Sequence, residues 1–351
     1  MKAAVFHAQE DLRIEEVAEP SPGPGQVKLR NAYAGICGSD LHVYFDPANA
    51  GLDFEHPHPL TGSTLPQILG HEFSGTVVEL GEGVDRVAIG NRVAVWPIYA
   101  CGECAACRKG APNACTKIGF HGLTSHGGGM SGFTVVDAAK LHVLPENVDL
   151  RLGALVEPMA VAWHAVERSG VQPGQTAFIA GAGPIGIGVY FALKARGIET
   201  IIVSEPSEGR RAAIAGVGAT DLVDPVGQDL AAFVAERTGG DGVDVAFDAA
   251  GAAPAFLGAI SELAPLGRLV IVALHEKAIE FNPTGLIMRE TEIAGTLGYT
   301  QADFDAVIAA MADGVYDASG WVETVGLESV VDAIGDLRSG KRMKVLVSAE
   351  G

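Results

Sequence analysis

The stretch Thr176–Gly186, with the sequence TAFIAGAGPIG, indicates the fold of the second half of the chain. Its first five residues are typical of a buried strand, and the turn leads into a predicted helix through Gly188–Arg196. A Gly-x-Gly-x-x-Gly string alone is weak evidence, but between a strand and a helix it predicts a dinucleotide-binding turn. Backbone amides at such a helix N-terminus can bind a pyrophosphate. The candidate cofactor-binding residues of this turn are Gly181, Gly183, Pro184, Ile185 and Gly186.

The next predicted strand, Thr200–Ser204, ends at an acidic residue, Glu205. A carboxylate at this place can accept hydrogen bonds from the ribose hydroxyls of NAD and repel the extra phosphate of NADP. Arg210 and Arg211 follow closely, so some use of NADP stays open. Later apolar runs alternate with helical stretches as far as 291–297, which favours a doubly wound parallel sheet covered on both faces.

The first half of the chain has short β-rich runs separated by glycine and proline turns, which predicts a compact, barrel-like β domain. A length of 351 residues exceeds what one core usually supports. We therefore predict a β-rich domain over 1–157 and a dinucleotide domain over 158–297. Residues 298–351, which end in a strand, should return to the first domain.

Three segments of the chain offer donors for a catalytic zinc. His71 and Glu72 supply an adjacent nitrogen and oxygen, and Cys37 supplies a thiolate between flanking glycines. A lone Cys is more often a small buried hydrophobe. Glu157 is predicted to lie just before a helix with Pro158 in its first turn, and it is either an ordinary carboxylate at the helix N-terminus or a further oxygen donor.

Ser39 and His42 follow Cys37 and carry the chemistry of a proton relay. A hydroxyl both donates and accepts, and an imidazole titrates near neutral pH. The alternative for His42 is a surface position on a helix.

The strongest single motif contains four cysteines, Cys101, Cys104, Cys107 and Cys115. Two gaps of two residues and one of seven place four thiolates on a short lobe. Four sulfurs leave no position for substrate, so this is predicted to be a structural zinc site. An iron–sulfur cluster is the alternative, but its usual cysteine spacings differ from this one.

Composition excludes several classes of function. The net charge of −19 argues against binding nucleic acid or an anionic membrane. No apolar run reaches the 18 residues of a membrane span, and the N-terminus lacks a signal-peptide core. Five cysteines, an odd number with four clustered, favour metal over disulfides. Together these features predict a cytoplasmic protein.

With these residues in place, the chain resembles the zinc-containing medium-chain alcohol dehydrogenases over its whole length. The resemblance rests on the segments 35–42, 57–62, 65–75, 155–161, 203–208 and 295–300 and on the four-cysteine lobe. It implies a GroES-like β-rich catalytic domain and a Rossmann domain. It also implies a small-molecule alcohol as substrate, and homodimers or homotetramers.

The resemblance further implies two zinc ions per subunit. One is structural, and the other is a catalytic zinc on Cys37, His71 and Glu157. Glu72 is the neighbouring carboxylate that can exchange with Glu157, and the sequence leaves open which of the two is the resting ligand. Ser39 and His42 match the proton-relay positions of the family.

Segments 57–62 and 204–208 point within this family to the branch that oxidises (R,R)-2,3-butanediol. The implied reaction is the reversible conversion of 2,3-butanediol to acetoin, with hydride transfer to the nicotinamide of NAD. Sorbitol-type polyol dehydrogenases and L-threonine dehydrogenases share nearly all these motifs. A quinone-reductase-like member would lack the zinc residues. From another class, the alternative is an inactive nucleotide-binding or redox-sensing protein.

Overall fold

The computed structural model of the chain describes residues 1–349, which form two compact units. The first unit contains Met1–Glu157, Thr300–Ala312 and the chain from Val322 onward. The second contains Pro158–Tyr299 and Asp313–Trp321. None of the described helices is both long and apolar enough to cross a membrane.

Over the described residues, the strands are β1 (Lys2–Ala8), β2 (Asp11–Glu16), β3 (Gln26–Gly35), β4 (Gln67–Ile68), β5 (Glu72–Leu80), β6 (Arg92–Val95), β7 (Ile98–Tyr99), β8 (Gly119–Phe120), β9 (Phe133–Asp137), β10 (Leu141–Val143), β11 (Thr176–Ala180), β12 (Thr200–Ser204), β13 (Asp221–Val223), β14 (Val243–Asp248), β15 (Leu263–Ile271), β16 (Glu292–Gly295), β17 (Val322–Gly326) and β18 (Lys344–Ser348). The α-helices are α1 (Gly38–Phe45), α2 (Ala105–Arg108), α3 (Leu150–Gly153), α4 (Val156–Ser169), α5 (Pro184–Ala195), α6 (Glu208–Gly216), α7 (Leu230–Thr238), α8 (Ala253–Ser261), α9 (Thr284–Arg289), α10 (Gln301–Ala312) and α11 (Val330–Arg338).

The first unit is built around a mixed sheet in the order β10-β6-β5-β3-β18-β17, with β9 also pairing with β3. A smaller sheet, β2-β1-β4, and the pair β7-β8 complete it. Runs of buried residues occupy the main strands, and their apolar side chains form a core that includes Phe6, Leu29 and Phe73. This is the β-rich domain that the sequence predicts.

The second unit contains a six-stranded, fully parallel sheet in the order β13-β12-β11-β14-β15-β16. Its central strands are continuous apolar runs because both of their faces are covered, and Phe178, Ile202 and Ala246 lie in the core. The strand order reverses between β11 and β14. In open parallel sheets, ligands bind beyond the carboxyl ends of the strands at such a reversal. The predicted fold class, a β-rich domain with a doubly wound parallel-sheet domain, is therefore confirmed.

Three local predictions differ from the structure. The helix after the glycine turn begins at Pro184 and not at Gly188, because Gly183 is its N-cap and proline fits the first helical position. Glu157 lies inside the first turn of α4 and not before it. Residues 313–321, predicted to return to the first domain, belong to the second unit, where Tyr316 packs on Phe191 at 5.0 Å between ring centroids.

Candidate functional site

The register of three strands in the first unit brings distant segments of the chain to one place. Gly35, the last residue of β3, pairs with Glu72, the first residue of β5. Gly35 also pairs with Leu346 of β18, two residues after Lys344. A Cβ at Gly35 would overlap the carboxylate of Glu72, so glycine lets that carboxylate lie against the backbone of β3. Cys37 follows β3 and His71 precedes β5, so both lie at this same edge.

Cys37, His71 and Glu72 form the candidate catalytic metal centre. Their ligand atoms all lie within 4.8 Å of one another, and His71 and Glu72 are buried. Oε1 of Glu72 is buried without a hydrogen-bond partner in the described structure. A thiolate, an imidazole nitrogen and a carboxylate oxygen converging in this way are the donor types that zinc takes. The residues present therefore fit zinc.

Glu157 is not among the three groups whose ligand atoms converge. It is buried in the first turn of α4, and its charge contributes to raising the pKa of Lys344. Glu72 therefore lies closest to Cys37 and His71, while Glu157 remains a nearby carboxylate. The structure thus brings together two of the three predicted zinc ligands with Glu72.

Asp40 is a buried carboxylate beside this centre that sequence reasoning missed. Its side chain has no exposed surface. One oxygen accepts a hydrogen bond from the backbone N–H of Cys37 at 2.8 Å, and the other lies 3.6 Å from Nδ1 of His71. A carboxylate behind an imidazole fixes which nitrogen faces a metal. The available signal was local, because Asp40 is at the third position of α1, where acidic residues cap the helix.

Lys344 is the second residue that was missed. Its ammonium group donates to Oε2 of Glu72 and, at 3.0 Å, to the backbone carbonyl of Ile36. Both side chains of this ion pair are almost fully buried. A lysine that begins an otherwise apolar last strand was the only sequence signal.

The charges of this cluster shift one another's proton affinities. Burial raises the pKa of the Cys37 thiol, and the charge of Glu72 adds to that shift. Burial lowers the pKa of His71, but Asp40 and Cys37 outweigh burial and hold that pKa well above its usual value. Burial likewise lowers the pKa of Lys344, but the charges of Glu72, Cys37 and Glu157 together outweigh burial and raise that pKa. A zinc ion would take the place of the protons on Cys37 and His71, because it binds thiolate and neutral imidazole.

The predicted relay residues lie on α1, next to this centre. The hydroxyl of Ser39 is 3.1 Å from Nε2 of His71, the ring nitrogen that faces away from Asp40. His42 is half-buried one turn further along the same helix. Residues three apart on a helix share a face. Ser39 and His42 are therefore two groups that can carry a proton, the first next to the candidate metal centre and the second one helical turn away from it.

The four cysteines of the lobe lie close together. Their sulfurs lie within 4.8 Å of one another, with neighbouring separations of 3.5–4.0 Å, and all four are free thiols. A tetrahedron with zinc–sulfur bonds of about 2.3 Å has edges of about 3.8 Å, so the sulfurs fit a zinc ion. Backbone N–H groups of Cys107 and Thr116 lower the pKa of Cys104 to about 5. The lobe therefore already favours a thiolate.

The glycine turn of the second unit leads from β11 into α5. A Cβ at Gly186 would overlap the carbonyl oxygen of Gly181, whereas space is open around Gly183 and no side chain caps α5 there. Pro184 and Ile185 form the first turn of α5. An uncapped helix N-terminus with open space before it fits a pyrophosphate.

Glu205 lies at the carboxyl end of β12 beside this turn. It is buried, and its two oxygens accept hydrogen bonds from the backbone N–H groups of Ala182 and Ser207, both at 2.9 Å. Each carboxylate oxygen has a second lone pair, so the group can still accept from a ribose. Arg211 donates to the carbonyls of Glu205 and Pro206, and the guanidinium of Arg210 has no hydrogen-bond partner among the described residues.

Comparison with known proteins places this geometry in a family. Residues 23–146 match the alcohol dehydrogenase GroES-like domain, and residues 184–313 match the zinc-binding dehydrogenase domain. The chain is 41% identical to (R,R)-butanediol dehydrogenase of Bacillus subtilis over 99% of each protein. It is 32% identical to sorbitol dehydrogenase of the same species, covering 95% of this chain and 92% of that protein. The crystal structure of 2R,3R-butanediol dehydrogenase from Bacillus subtilis superimposes with a TM-score of 0.91 at 41% identity, over 99% of each chain.

Proposed function

Because the chain belongs to the zinc-dependent medium-chain alcohol dehydrogenases, we propose that it catalyses the reversible NAD-dependent oxidation of (R,R)-2,3-butanediol to acetoin. The observation that carries the chemistry is the convergence of Cys37, His71 and Glu72 within 4.8 Å. The choice of substrate is supported by the full-length similarity to a butanediol dehydrogenase.

When bound, zinc would lower the pKa of the alcohol hydroxyl and NAD would accept the hydride. The chain's own residues hold and move the proton. The Ser39 hydroxyl accepts the alcohol proton, and His42 carries it onward to solvent. Asp40 lies 3.6 Å from Nδ1 of His71, and Nε2 on the other side of the ring faces Ser39. A His42→Ala variant should lose turnover near neutral pH and recover part of it at high pH, whereas an unchanged pH profile removes His42 from the relay.

We propose Cys37, His71 and Glu72 as the resting ligands, with Glu157 as the carboxylate that exchanges with Glu72. Convergence of ligand atoms favours Glu72, because its Oε1 has no hydrogen-bond partner among the described residues while its Oε2 accepts from Lys344. Zinc content of Glu72→Gln and Glu157→Gln variants tests the assignment. Loss of one zinc per chain in Glu157→Gln alone would reverse the two roles.

We propose NAD and not NADP as the preferred cofactor, because buried Glu205 places a negative charge beside the turn. The guanidinium of Arg210, which has no hydrogen-bond partner among the described residues, is the group that would donate to a 2′-phosphate once that charge is removed. A Glu205→Ser variant should therefore gain relative activity with NADP. An unchanged preference for NAD would show that Glu205 does not select against NADP.

We propose that the protein assembles as a homodimer or homotetramer through strand β16. This strand pairs with β15 on one side only within the described structure. Exposed apolar side chains flank it in sequence: Ile287 and Met288 before it are each 77% exposed, and Leu297 after it is 51% exposed. An open strand edge is self-complementary, so a second copy fits it. Met288→Lys should shift sedimentation toward monomers, and unchanged sedimentation would move the interface elsewhere.

The substrate is tested by NADH formation with the three 2,3-butanediol stereoisomers, sorbitol and L-threonine. We expect the (R,R) isomer to give the highest kcat/KM. Sorbitol is the second candidate, because the chain is also similar to a sorbitol dehydrogenase. A preference for sorbitol would keep the mechanism and change the substrate. Binding of NADH without turnover of any substrate would favour an inactive nucleotide-binding protein.

A further inference from the structure

A buried acid–histidine pair lies in the second unit, outside both candidate zinc sites and the glycine turn. Asp248 is the last residue of β14, and its side chain has no exposed surface. Its Oδ2 accepts a hydrogen bond from Nε2 of His275 at 2.7 Å. Its Oδ1 accepts from the backbone N–H groups of Ala250 and Gly251 at 3.1 and 3.0 Å. Both oxygens of the Asp248 carboxylate accept hydrogen bonds, so the carboxylate is held in place. The imidazole bound to it is therefore held in place as well.

This pair lies at the reversal of strand order in the parallel sheet. The backbone N–H of Ala249 donates to the carbonyl of Ala180, the last residue of β11, at 2.9 Å. The side chain of Ala250 is 3.0 Å from where a Cβ would lie at Gly181. The loop that follows β14 therefore borders the glycine turn directly. Open parallel sheets bind their ligands in this place.

One side of the His275 ring is engaged and the other is available. Because Asp248 accepts from Nε2, the proton of a neutral imidazole is on Nε2 and Nδ1 is an acceptor. Among the described residues, Nδ1 has no hydrogen-bond partner, and 18% of the side chain stays exposed. Phe256 contacts the ring edge-on, with 6.1 Å between centroids. The imidazole is thus held from two directions and presents an unused acceptor.

The two ends of a dinucleotide must leave the glycine turn in opposite directions along the sheet. Glu205, the proposed partner of the adenosine ribose, is at the end of β12, on one side of β11. His275 is held at the end of β14, on the other side of β11. The half of NAD that carries the nicotinamide therefore extends toward His275.

We propose that His275, held by Asp248, binds the nicotinamide ribonucleoside half of NAD through Nδ1. The donors available on that half are the ribose hydroxyls and the carboxamide NH2. This inference rests on the proposed use of NAD and adds a cofactor-binding residue that the glycine fingerprint does not contain. Without Asp248 the ring loses its orientation, so Asp248 is a positioning residue.

Calorimetric titration of the full-length protein with NADH, ADP-ribose and ADP tests the proposal, because ADP lacks the half in question. His275→Ala should weaken NADH binding about three- to tenfold, the range of one net hydrogen bond, and leave ADP binding within twofold. His275→Gln retains a donor toward Asp248 and an acceptor, so it should recover part of the affinity. Lys277→Ala, an exposed change two residues further on, is the matched control.

ADP-ribose identifies the donor: an equal loss for ADP-ribose assigns the ribose hydroxyls, and a loss confined to NADH assigns the carboxamide. Unchanged NADH affinity in His275→Ala would overturn the proposal. An equal loss for ADP would do so as well, because it would show that the pair only supports the loop. If the wild-type protein binds none of the three ligands, the proposed use of NAD fails first, and the wild-type titration shows this separately.

Discussion

Replacing Lys344 by methionine tests whether the buried ion pair with Glu72 supports the first unit. The exposed fractions of the two side chains are 3% and 1%, so neither charge is solvated when the other is removed. Loss of one partner from a buried pair costs about 3–5 kcal/mol, because the remaining charge stays uncompensated. Against a total stability of about 5–15 kcal/mol, this is a large change. We therefore expect Lys344→Met to lower the free energy of unfolding by about 3–5 kcal/mol.

Urea unfolding followed by circular dichroism measures this loss. The comparison is made in a Cys37→Ser background, so that a zinc ion next to Glu72 does not substitute for the lost ammonium. The double variant Glu72→Gln/Lys344→Met removes both charges and should cost less than about 2 kcal/mol. Lys2→Met is the matched control, since the Lys2–Glu328 pair is exposed and should contribute little. A double-variant cost equal to or above that of Lys344→Met alone would refute the reasoning.

Three further predictions concern the nucleotide turn, the cysteine lobe and a buried imidazole. Gly186→Ala places a Cβ against a backbone carbonyl. Calorimetry should therefore show NADH binding weakened at least about tenfold. The control variant Gly285→Ala should bind NADH normally, because the space around Gly285 is open. Cys104→Ser should reduce the zinc content by one per chain and lower the thermal midpoint, because the lobe depends on its metal. Burial lowers the pKa of His121 to about 3, so the unfolded chain binds the extra proton between pH 6.5 and 3, and stability falls as pH falls. His121→Gln should abolish about 1.6 kcal/mol of the stability loss between pH 6.5 and 5, and exposed His126→Gln should abolish none.

A specific result would contradict each prediction for Gly186, Cys104 and His121. Normal NADH binding by the Gly186→Ala variant would mean that the turn relaxes away from the overlap. An unchanged zinc content in Cys104→Ser would show that the lobe does not hold the structural metal. A wild-type acid profile in His121→Gln would show that His121 takes up its proton without unfolding.

The parts of this molecule that could be predicted from sequence are those encoded locally. The strand–turn–helix around Gly181–Gly186 and the cysteine spacing over 101–115 each determine their own geometry, because all the groups lie on one short segment. The helix position of Asp40 is also encoded locally. Its contact with His71 is not, because His71 comes from a distant segment that precedes β5.

The residues that could not be predicted depend on strand register. Lys344 meets Glu72 across 272 residues of sequence, and only the pairing of β3 with both β5 and β18 makes them neighbours. His275 meets Asp248 across 27 residues because β14 and β15 are adjacent and parallel. The spacing of residues in the sequence does not predict such contacts, because they depend on the order of strands in the sheet.

The most direct test of the account measures zinc content and NADH formation from (R,R)-2,3-butanediol on the same preparations of wild type and Cys37→Ala. The wild type should contain two zinc ions per chain and turn over the diol. Cys37→Ala should retain one zinc, in the four-cysteine lobe, and still bind NADH. Its turnover should fall by about a thousandfold, as expected when several kcal/mol of charge stabilisation is lost. Full zinc content and undiminished turnover in Cys37→Ala would contradict the proposed metal centre.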